Sequence, residues 1–414
     1  MTKTKLLKIL KKISANIIVV ISSIVVALIL VEIVLRFTPY KNIGERSYRY
    51  PSNYFVADEE IGYDIVRNFE GATHGLQEHP YKVFSNSYGC FDYEREVPDN
   101  YGIIVGDSFT WGYTPLEKKW TTYLEKKSNI FMLKCGITGH GTMQEMRKAK
   151  RTIKEVGKNP KYITVLYTSN DFNDNFMFPS RTVIGEGKLV NKNKGANLIT
   201  GKRFFYTDEE LKEKHKKYMG NNLDSYLRKF RYGLVTYRVF RNVQPKIKTK
   251  LKEFKKRISG NDNINKKKNI VKNNESEVAK QSATKAIKKK VNQMPDYTKG
   301  YYNVYLTGYF DQTDRAWYNK AVEDHKNNIR EFALYAKSVN AKFLFVDLSG
   351  TLSHKRFDDL RQFFSNTKDV YYYNLGQDYK NQSTWKYDGH WDIKGNQEAG
   401  EYIYQHFKKI RVFK

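Results

Sequence analysis

The longest run of apolar residues lies near the start of the chain. The stretch from Ile13 to Val31, ISANIIVVISSIVVALILV, contains no charged residue. At 1.5 Å per residue, a helix of this length spans a hydrocarbon core of about 30 Å. Several lysines precede it and predict a cytoplasmic N-terminus, with everything after about Arg36 on the far side. A cleaved signal peptide is the alternative, but no small-x-small cleavage site closes the run, and we predict a retained single-pass anchor.

Short runs of β-branched and aromatic residues recur after position 100. They predict buried strands at Tyr101–Val105, Asn129–Cys135, Lys161–Ser169, Ala341–Ser349 and Asp369–Leu375. Helix-like segments lie between and after them, at Trp120–Lys127, Met143–Val156, Asn319–Ser338 and Lys394–Lys408. Strands that alternate with helices predict a parallel sheet with helices on both faces, a three-layer α/β/α domain.

The alternation also predicts how the chain is divided. Residues 1–36 form the basic tail and transmembrane helix, and residues 37–100 an irregular approach segment. The α/β domain is expected in two parts, 101–175 and 313–414, separated by an insertion at 176–312. Its Lys/Asn-rich part, 246–291, has few aromatic residues and is expected to be disordered. It is either a spacer or a contact for anionic lipid or an acidic polymer.

Charge and cysteine content narrow the functional classes. The net charge of +29 suits an anionic partner, but much of it lies in the first twelve residues and in the Lys/Asn-rich segment. The sequence contains no zinc-finger spacing and no RNA-binding signature, and we do not expect nucleic acid as a partner. Cys90 and Cys135 are too few for a disulfide framework. We expect two unpaired cysteines, with one extracytoplasmic disulfide as the alternative.

Candidate catalytic residues follow the first and last predicted elements of the domain. In IIVGDSFTWGY, Ser108 comes directly after the first strand. A serine hydroxyl needs a base to become a nucleophile, and KYDGHWDIKG offers His390 just before the last helix. Asp388, two residues earlier, is suited to hold one imidazole nitrogen and leave the other free for the Ser108 proton. The sequence therefore predicts a Ser108, His390 and Asp388 triad.

Acyl transfer also requires donors for the negatively charged oxygen of the intermediate. Gly139 lies in a glycine-rich turn after the second strand, where its backbone N–H can be approached closely. Asn170 ends the third strand with a neutral amide. With the Ser108 N–H, these residues are the predicted oxyanion hole. Ligands gather beyond the carboxyl ends of parallel strands, where all three lie. No metal-ligand cluster is visible, and no cofactor is expected.

Four short blocks together resemble the SGNH (GDSL-like) hydrolase superfamily. They are GDSFTWG, ITGHGTMQ, SNDFNDN and DGHW, and they occur in the order of that superfamily. Its Ser, Gly, Asn and His correspond here to Ser108, Gly139, Asn170 and His390. The similarity covers about 84–175 and 340–408 and implies a flavodoxin-like parallel sheet. The Asp-x-His-Trp form of the last block resembles a subset that includes exopolysaccharide O-acetyltransferase-like proteins.

These observations predict a membrane-anchored serine esterase or O-acyltransferase at the cell envelope. The expected substrate is an O-acyl ester, in particular an O-acetyl group on a surface glycan, and the expected intermediate is an acyl-serine at Ser108. The alternative is a catalytically inactive glycan-binding or polysaccharide-assembly protein on the same fold. The complete Ser108, Gly139, Asn170 and His390 set counts against it, since a binding protein has no chemical need for all four.

Overall fold

A computed structural model of the protein describes residues 3–38, 48–76, 79–185, 187–197, 200–219, 316–349, 355–386 and 388–413, with a few positions between 230 and 244. The predicted Lys/Asn-rich segment, 246–291, lies outside the described residues. The chain divides into two compact units. One comprises Met1–Arg46 and Glu213–Ile287, and the other comprises Ser47–Lys212 and Lys288–Lys414.

The first unit contains one long helix, α1 (Lys3–Arg36). Within it, the 21 residues Asn16–Arg36 contain an 18-residue window with a mean hydropathy of 3.1, and the segment is long and apolar enough to cross a membrane. Their apolar side chains are exposed on all sides, which suits a lipid environment better than water. Near the end of α1, the Glu32 carboxylate accepts hydrogen bonds from the backbone N–H groups of Val235 and Thr236, at 3.1 and 2.9 Å.

Five short strands precede the α/β domain in the second unit. They are β1 (Tyr48–Arg49), β2 (Phe55–Asp58), β3 (Gly62–Ile65), β4 (Ala72–Leu76) and β5 (Tyr81–Val83). β2 and β3 form an antiparallel hairpin, and β4 pairs with both β1 and β5. The sequence predicted an irregular segment here, because strands of two to five residues are too short to show a clear alternation of apolar and polar positions.

The first half of the α/β domain follows the predicted order. Its elements are β6 (Tyr101–Gly106), α2 (Ser108–Trp111), α3 (Trp120–Ser128), β7 (Phe131–Lys134), α4 (Thr142–Val156), β8 (Tyr162–Tyr167) and α5 (Asp171–Phe176). The described part of the insertion then forms two antiparallel pairs and a helix. These are β9 (Arg181–Ile184) with β10 (Lys188–Asn191), β11 (Asn193–Ala196) with β12 (Arg203–Phe205), and α6 (Asp208–Met219).

The second half completes the sheet. It contains α7 (Ala316–Ser338), β13 (Lys342–Asp347), α8 (Lys355–Asn366), β14 (Val370–Tyr373), α9 (Leu375–Asp378) and α10 (Ile393–Lys409). The five strands of the central sheet are all parallel, in the order β14-β13-β8-β6-β7. The predicted parallel α/β fold is confirmed.

Each face of the sheet is covered by helices. Ile103 and Val105 of β6 point to one face, where α4, α7 and α8 pack through residues such as Ile153, Phe332 and Phe364. The next residue along, Ile104, points to the other face, which α3 and α10 cover. The strands have continuous apolar runs because both faces of the sheet are buried. A third cluster packs β2 to β5 around Trp111 of α2.

The two cysteines form a disulfide, so the expectation of unpaired thiols was wrong. Cys90 and Cys135 are 45 positions apart in sequence, yet their α-carbons lie 4.3 Å apart. The chain before β6 runs back beside the end of β7, which brings the two together. Nothing in the local sequence of either cysteine encodes that approach, because it depends on the tertiary fold. The disulfide joins the approach segment covalently to the central sheet.

Candidate active site

Ser108 is the first residue of α2, on the turn that follows β6. Gly106 ends that strand with a φ of +152°, and a Cβ there would lie 2.1 Å from the Thr110 hydroxyl, so the turn requires glycine. Asp107 caps the helix, since its side chain accepts the Phe109 N–H at 2.9 Å. The sharp turn leaves Ser108 partly exposed at the carboxyl edge of the sheet.

His390 reaches Ser108 from the loop before α10. Its Nε2 lies 2.7 Å from the Ser108 Oγ. Its Nδ1 is hydrogen bonded to the Asp388 carboxylate, which also accepts the backbone N–H of His390 at 2.9 Å. With Nδ1 protonated and donating to Asp388, Nε2 is free to accept the Ser108 proton. The structure thus brings the three predicted triad residues together; their catalytic role stays a prediction.

Aromatic rings hold the histidine in this position. The rings of Tyr113 and Phe109 contact the imidazole, with centroids 4.1 and 4.9 Å away. Trp385 donates its backbone N–H to the His390 carbonyl at 3.0 Å, and its indole N–H to the Tyr113 carbonyl, also at 3.0 Å. The histidine loop is therefore fixed to the chain that follows α2.

Asp107 is a site residue that the sequence analysis did not single out. It is fully buried, its Oδ2 accepts hydrogen bonds from Thr168 at 2.8 Å and Asn170 at 3.1 Å, and the same oxygen lies 3.3 Å from the Ser108 Oγ. A single carboxylate thereby joins the serine turn to the end of β8. Its position directly before Ser108 was the sequence feature that could have indicated a role in the site. A helix-capping role alone would also explain an aspartate there.

Gly139 lies on the turn after β7, which packs beside the end of β6. The N–H of Ile137 donates to the Gly106 carbonyl at 2.9 Å, which ties this turn to the end of β6. Gly139 has a φ of +75°, a conformation that favours glycine. Its backbone N–H therefore belongs to a turn tied to the end of β6, and its role as an oxyanion donor stays a prediction.

Asn170 is also beside the site, but its amide is already engaged. The side-chain nitrogen donates to Asp107 Oδ2 at 3.1 Å and to Asp174 Oδ2 at 3.0 Å. A primary amide has two N–H groups. Both are accounted for by these carboxylates, so an oxyanion would have to displace one of them.

Arg181 comes from the insertion, where no sequence pattern indicated a site residue. It begins β9, and its guanidinium lies against Gly139: a Cβ on that glycine would be 2.3 Å from Nη1 and 2.4 Å from Cζ. Burial lowers the pKa of Arg181, but the neighbouring Tyr63 and Asp174 more than offset this and raise it above its usual value. Arg181 is therefore a permanent cation next to a predicted oxyanion donor.

Buried carboxyl groups lie beneath this edge of the sheet. Burial raises the pKa of Asp174 to about 6, although Arg181 and the hydrogen bond from Asn170 favour its charged form. Burial, with the charge of Asp107, raises the pKa of Glu145 well above its usual value. Asp171 is affected in the same way, through burial and then the charge of Glu145. The neutral forms of these acids are thereby favoured.

His140, next to Gly139, is not available as a base. It is buried, its Nε2 lies 3.0 Å from the Tyr63 carbonyl, and burial lowers its pKa to about 3. It acts as a neutral donor that positions the turn. Among the residues that the structure describes, no group of three or more His, Cys, Asp or Glu side chains could hold a metal ion.

Comparison with known proteins finds similarity to solved structures alone. No protein-family model and no curated protein matches the chain. A structure described as a lipolytic protein of the G-D-S-L family, from Desulfitobacterium hafniense DCB-2, is similar with 10% identity and a TM-score of 0.32, over 74% of this chain and 99% of that one. The psychrotrophic esterase EstA from Pseudoalteromonas sp. has the same identity and TM-score, over 76% and 99%. At this level of similarity, the function has to be inferred from the chain's own geometry.

Proposed function

We propose that this protein is a serine ester hydrolase or acyltransferase that acts on O-acyl esters through an acyl-serine at Ser108. The observation that carries the proposal is the relay in which Ser108 Oγ lies 2.7 Å from His390 Nε2, while the opposite ring nitrogen is bonded to Asp388. A nucleophile, a base and a group that orients the base are the parts that nucleophilic acyl transfer requires.

The chemistry proceeds in two halves. Ser108 Oγ attacks the ester carbonyl carbon as His390 Nε2 takes the hydroxyl proton, and the π electron pair of the carbonyl moves onto its oxygen. When that pair returns, the bond to the alkoxy group breaks, and the departing oxygen takes the proton from His390. Water or an acceptor hydroxyl then attacks the carbonyl carbon of the acyl-serine while His390 Nε2 takes its proton. The bond to Ser108 Oγ breaks, and His390 returns the proton to that oxygen.

Asp388 supports the step in which charge appears on the imidazole. Its side chain is 6% exposed, so its interaction with the imidazolium is little screened by water. The same carboxylate accepts the backbone N–H of His390, which fixes its position relative to the ring. The Ser108 and Gly139 backbone N–H groups are proposed to stabilise the oxyanion.

The surroundings favour a small acyl group on a polyhydroxylated carrier. Phe109 and Tyr113 provide an apolar wall beside His390, suited to an acetyl methyl group. Trp385, partly exposed, stacks with His79 at a centroid distance of 6.0 Å and offers an aromatic surface for a sugar ring. We therefore propose an O-acetylated cell-surface glycan as the substrate.

The proposed location is the outer surface of the membrane. The apolar helix α1 supports a single-pass anchor, and the lysines before it favour a cytoplasmic N-terminus. The buried disulfide between Cys90 and Cys135 is consistent with an oxidising compartment. A site held near the membrane would meet nascent surface polysaccharides, and the Lys/Asn-rich segment is proposed to contact anionic lipid or polymer.

The test is turnover of p-nitrophenyl acetate by the full-length protein in detergent. Ser108→Ala and His390→Ala are expected to lose activity by several orders of magnitude, and Asp388→Asn by on the order of 10⁴-fold, as for orienting acids in other serine triads. Ser365→Ala, an exposed serine near the end of α8, is the matched control for Ser108, and Asp359→Asn, exposed on the same helix, is the control for Asp388. Both should keep wild-type activity.

A fluorophosphonate probe distinguishes the proposal from the alternative of an inactive glycan-binding protein. It should label the wild type and Ser365→Ala, and it should not label Ser108→Ala. A folded wild type with no turnover above the Ser108→Ala background and no label would contradict an acyl-serine mechanism. Salt-sensitive polymer binding by that inactive protein would then favour the binding role.

A further inference from the structure

The arrangement around Asn170 raises the question of which group receives the developing oxyanion. Its two amide N–H groups point at Asp107 Oδ2 and Asp174 Oδ2, at 3.1 and 3.0 Å. Hydrogen bonds to carboxylates are among the stronger ones in proteins. An oxyanion that recruited this amide would have to break one of them, which would reduce the gain from binding the intermediate.

Arg181 lies against Gly139, a predicted oxyanion donor. Its guanidinium covers Gly139 so closely that Nη1, Cζ and Nε would be 2.3, 2.4 and 2.9 Å from a Cβ on that residue. The Gly139 N–H is a proposed oxyanion donor, so the cation and this N–H share one side of the site. A guanidinium has five N–H donors, of which one donates to the Thr138 carbonyl at 3.5 Å and another to the Tyr63 hydroxyl.

The electrostatics of the site also call for a cation. Asp107 is fully buried and its Oδ2 lies 3.3 Å from the Ser108 Oγ, while Asp174 is bonded to Asn170. Any ionised member of this group repels a negative oxygen that forms above it. A guanidinium at the edge of the group opposes that repulsion, and partial burial strengthens its effect relative to bulk water.

We infer that Arg181 is a catalytic residue of the proposed acyl transfer. Its guanidinium donates to the tetrahedral oxyanion together with the backbone N–H groups of Ser108 and Gly139, while Asn170 acts as a positioning residue that holds Asp107 and Asp174. The inference rests on the proposed function. Arg181 keeps all its protons throughout: it stabilises the electron pair that moves from the carbonyl π bond to oxygen and returns when the ester bond breaks.

The experiment compares Arg181→Gln, Arg181→Lys and Asn170→Ala in the full-length protein in detergent, with p-nitrophenyl acetate as the substrate. Arg181→Gln is expected to lower kcat by about 10²- to 10³-fold with little change in KM, as for other lost oxyanion donors. Arg181→Lys should recover part of the loss, because it restores a charge without the planar donor geometry. Asn170→Ala should lose less kcat than Arg181→Gln.

Arg203→Gln is the matched control. Arg203 belongs to the same insertion, is exposed, and donates to the Phe176 carbonyl at 2.9 Å. It should keep wild-type kcat. Equal melting temperatures for Arg181→Gln and Arg203→Gln would exclude misfolding as the cause of a difference in kcat.

A second readout separates transition-state stabilisation from a structural role. Phenylboronic acid adds reversibly to a nucleophilic serine and forms a tetrahedral, negatively charged boronate. Arg181→Gln should raise its inhibition constant by about the same factor by which kcat/KM falls. If Arg181 only supported the turn, its substitution would not change the inhibition constant and kcat/KM by the same factor.

The results that would overturn the role of Arg181 differ from those that would overturn the proposed function. An active wild type in which Arg181→Gln keeps kcat within about threefold, or raises KM alone, overturns the role of Arg181 and leaves the proposed function intact. An Asn170→Ala loss that exceeds that of Arg181→Gln also overturns it. A wild type without Ser108-dependent turnover overturns the proposed function and this inference together.

Discussion

Asp107 shows how much one side chain can organise at the residue scale. One of its oxygens caps α2 through the Phe109 N–H, and the other accepts from Thr168 and Asn170 and lies 3.3 Å from the Ser108 Oγ. The carboxylate therefore fixes the turn with Ser108 relative to the end of β8. Its proximity also places a buried carboxyl group beside the serine hydroxyl.

Glu145 gives a prediction about pH and stability. It is buried, and neither carboxyl oxygen has a hydrogen-bond partner among the described residues. Burial and then the charges of Asp107 and Asp174 raise its pKa well above the usual value. In the unfolded chain it ionises near pH 4. Its contribution to stability is therefore fully present below about pH 4 and is lost as pH rises through the higher, folded-state pKa.

Glu145→Gln removes this titration without a large change in shape. The free energy of unfolding of the variant, relative to wild type, should increase steadily as pH rises from about 4 to 8. Urea unfolding at several pH values measures it. Glu331→Gln, an exposed glutamate of α7, should show no such trend relative to wild type. A difference for Glu145→Gln that stays constant over this range would contradict the argument.

At the scale of elements, the start of α10 controls the position of His390. Asp392 caps this helix by accepting the Gly395 N–H at 2.7 Å, and its second oxygen accepts the Ser383 hydroxyl at 2.7 Å. The cap is two residues after His390. Fraying at the first turn of α10 is therefore expected to change the position of the loop with His390, the proposed base.

Asp392→Ala is expected to lower the free energy of unfolding by roughly 1–2 kcal/mol, the usual cost of a lost cap. It should also lower kcat, because the histidine loop loses a fixed end. Asn374→Ala removes the corresponding cap of α9, where the Asn374 side chain accepts the Gln377 N–H at 3.0 Å. That control should cost stability without a comparable loss of kcat. Equal losses of activity in the two variants would argue against a specific link from α10 to His390.

The same scale shows what the sequence could predict. The five strands of the central sheet and helices α3, α4, α7 and α10 lie within three residues of their predicted bounds. Buried parallel strands and long helices leave strong periodic patterns. The strands from β1 to β5 leave none, since each has at most five residues.

The residues of the site also differ in how far the sequence could predict them. The proximity of Ser108, His390 and Asp388 was predictable because these residue types occur beside predicted strands and helices; their catalytic role stays a prediction. Arg181 was not, since it comes from an insertion whose fold brings it back to Gly139. The engagement of Asn170 by two carboxylates was equally hidden, because hydrogen-bond partners distant in sequence depend on tertiary structure.

The disulfide connects stability to location at the scale of the whole molecule. Cys90 and Cys135 close a loop across 45 positions. In the chain-entropy account, such a loop stabilises the folded state by about 4 kcal/mol, and measured values of 2–4 kcal/mol are typical. It persists only where thiols are oxidised. Its state in the cell therefore reports on which side of the membrane the α/β domain lies.

The final prediction compares the full-length protein, purified from membranes, with the chain from Lys41 onward produced in a reducing cytoplasm. After unfolding, a maleimide coupled to polyethylene glycol should label no cysteine in the first and two in the second. The reduced protein should unfold with a free energy about 2–4 kcal/mol lower. A Cys90→Ala/Cys135→Ala variant of the full-length protein should show the same loss, which separates the effect of the disulfide from that of removing α1. Two labelled thiols in the full-length protein would mean that the domain faces the cytoplasm, and a surface glycan could then not be its substrate.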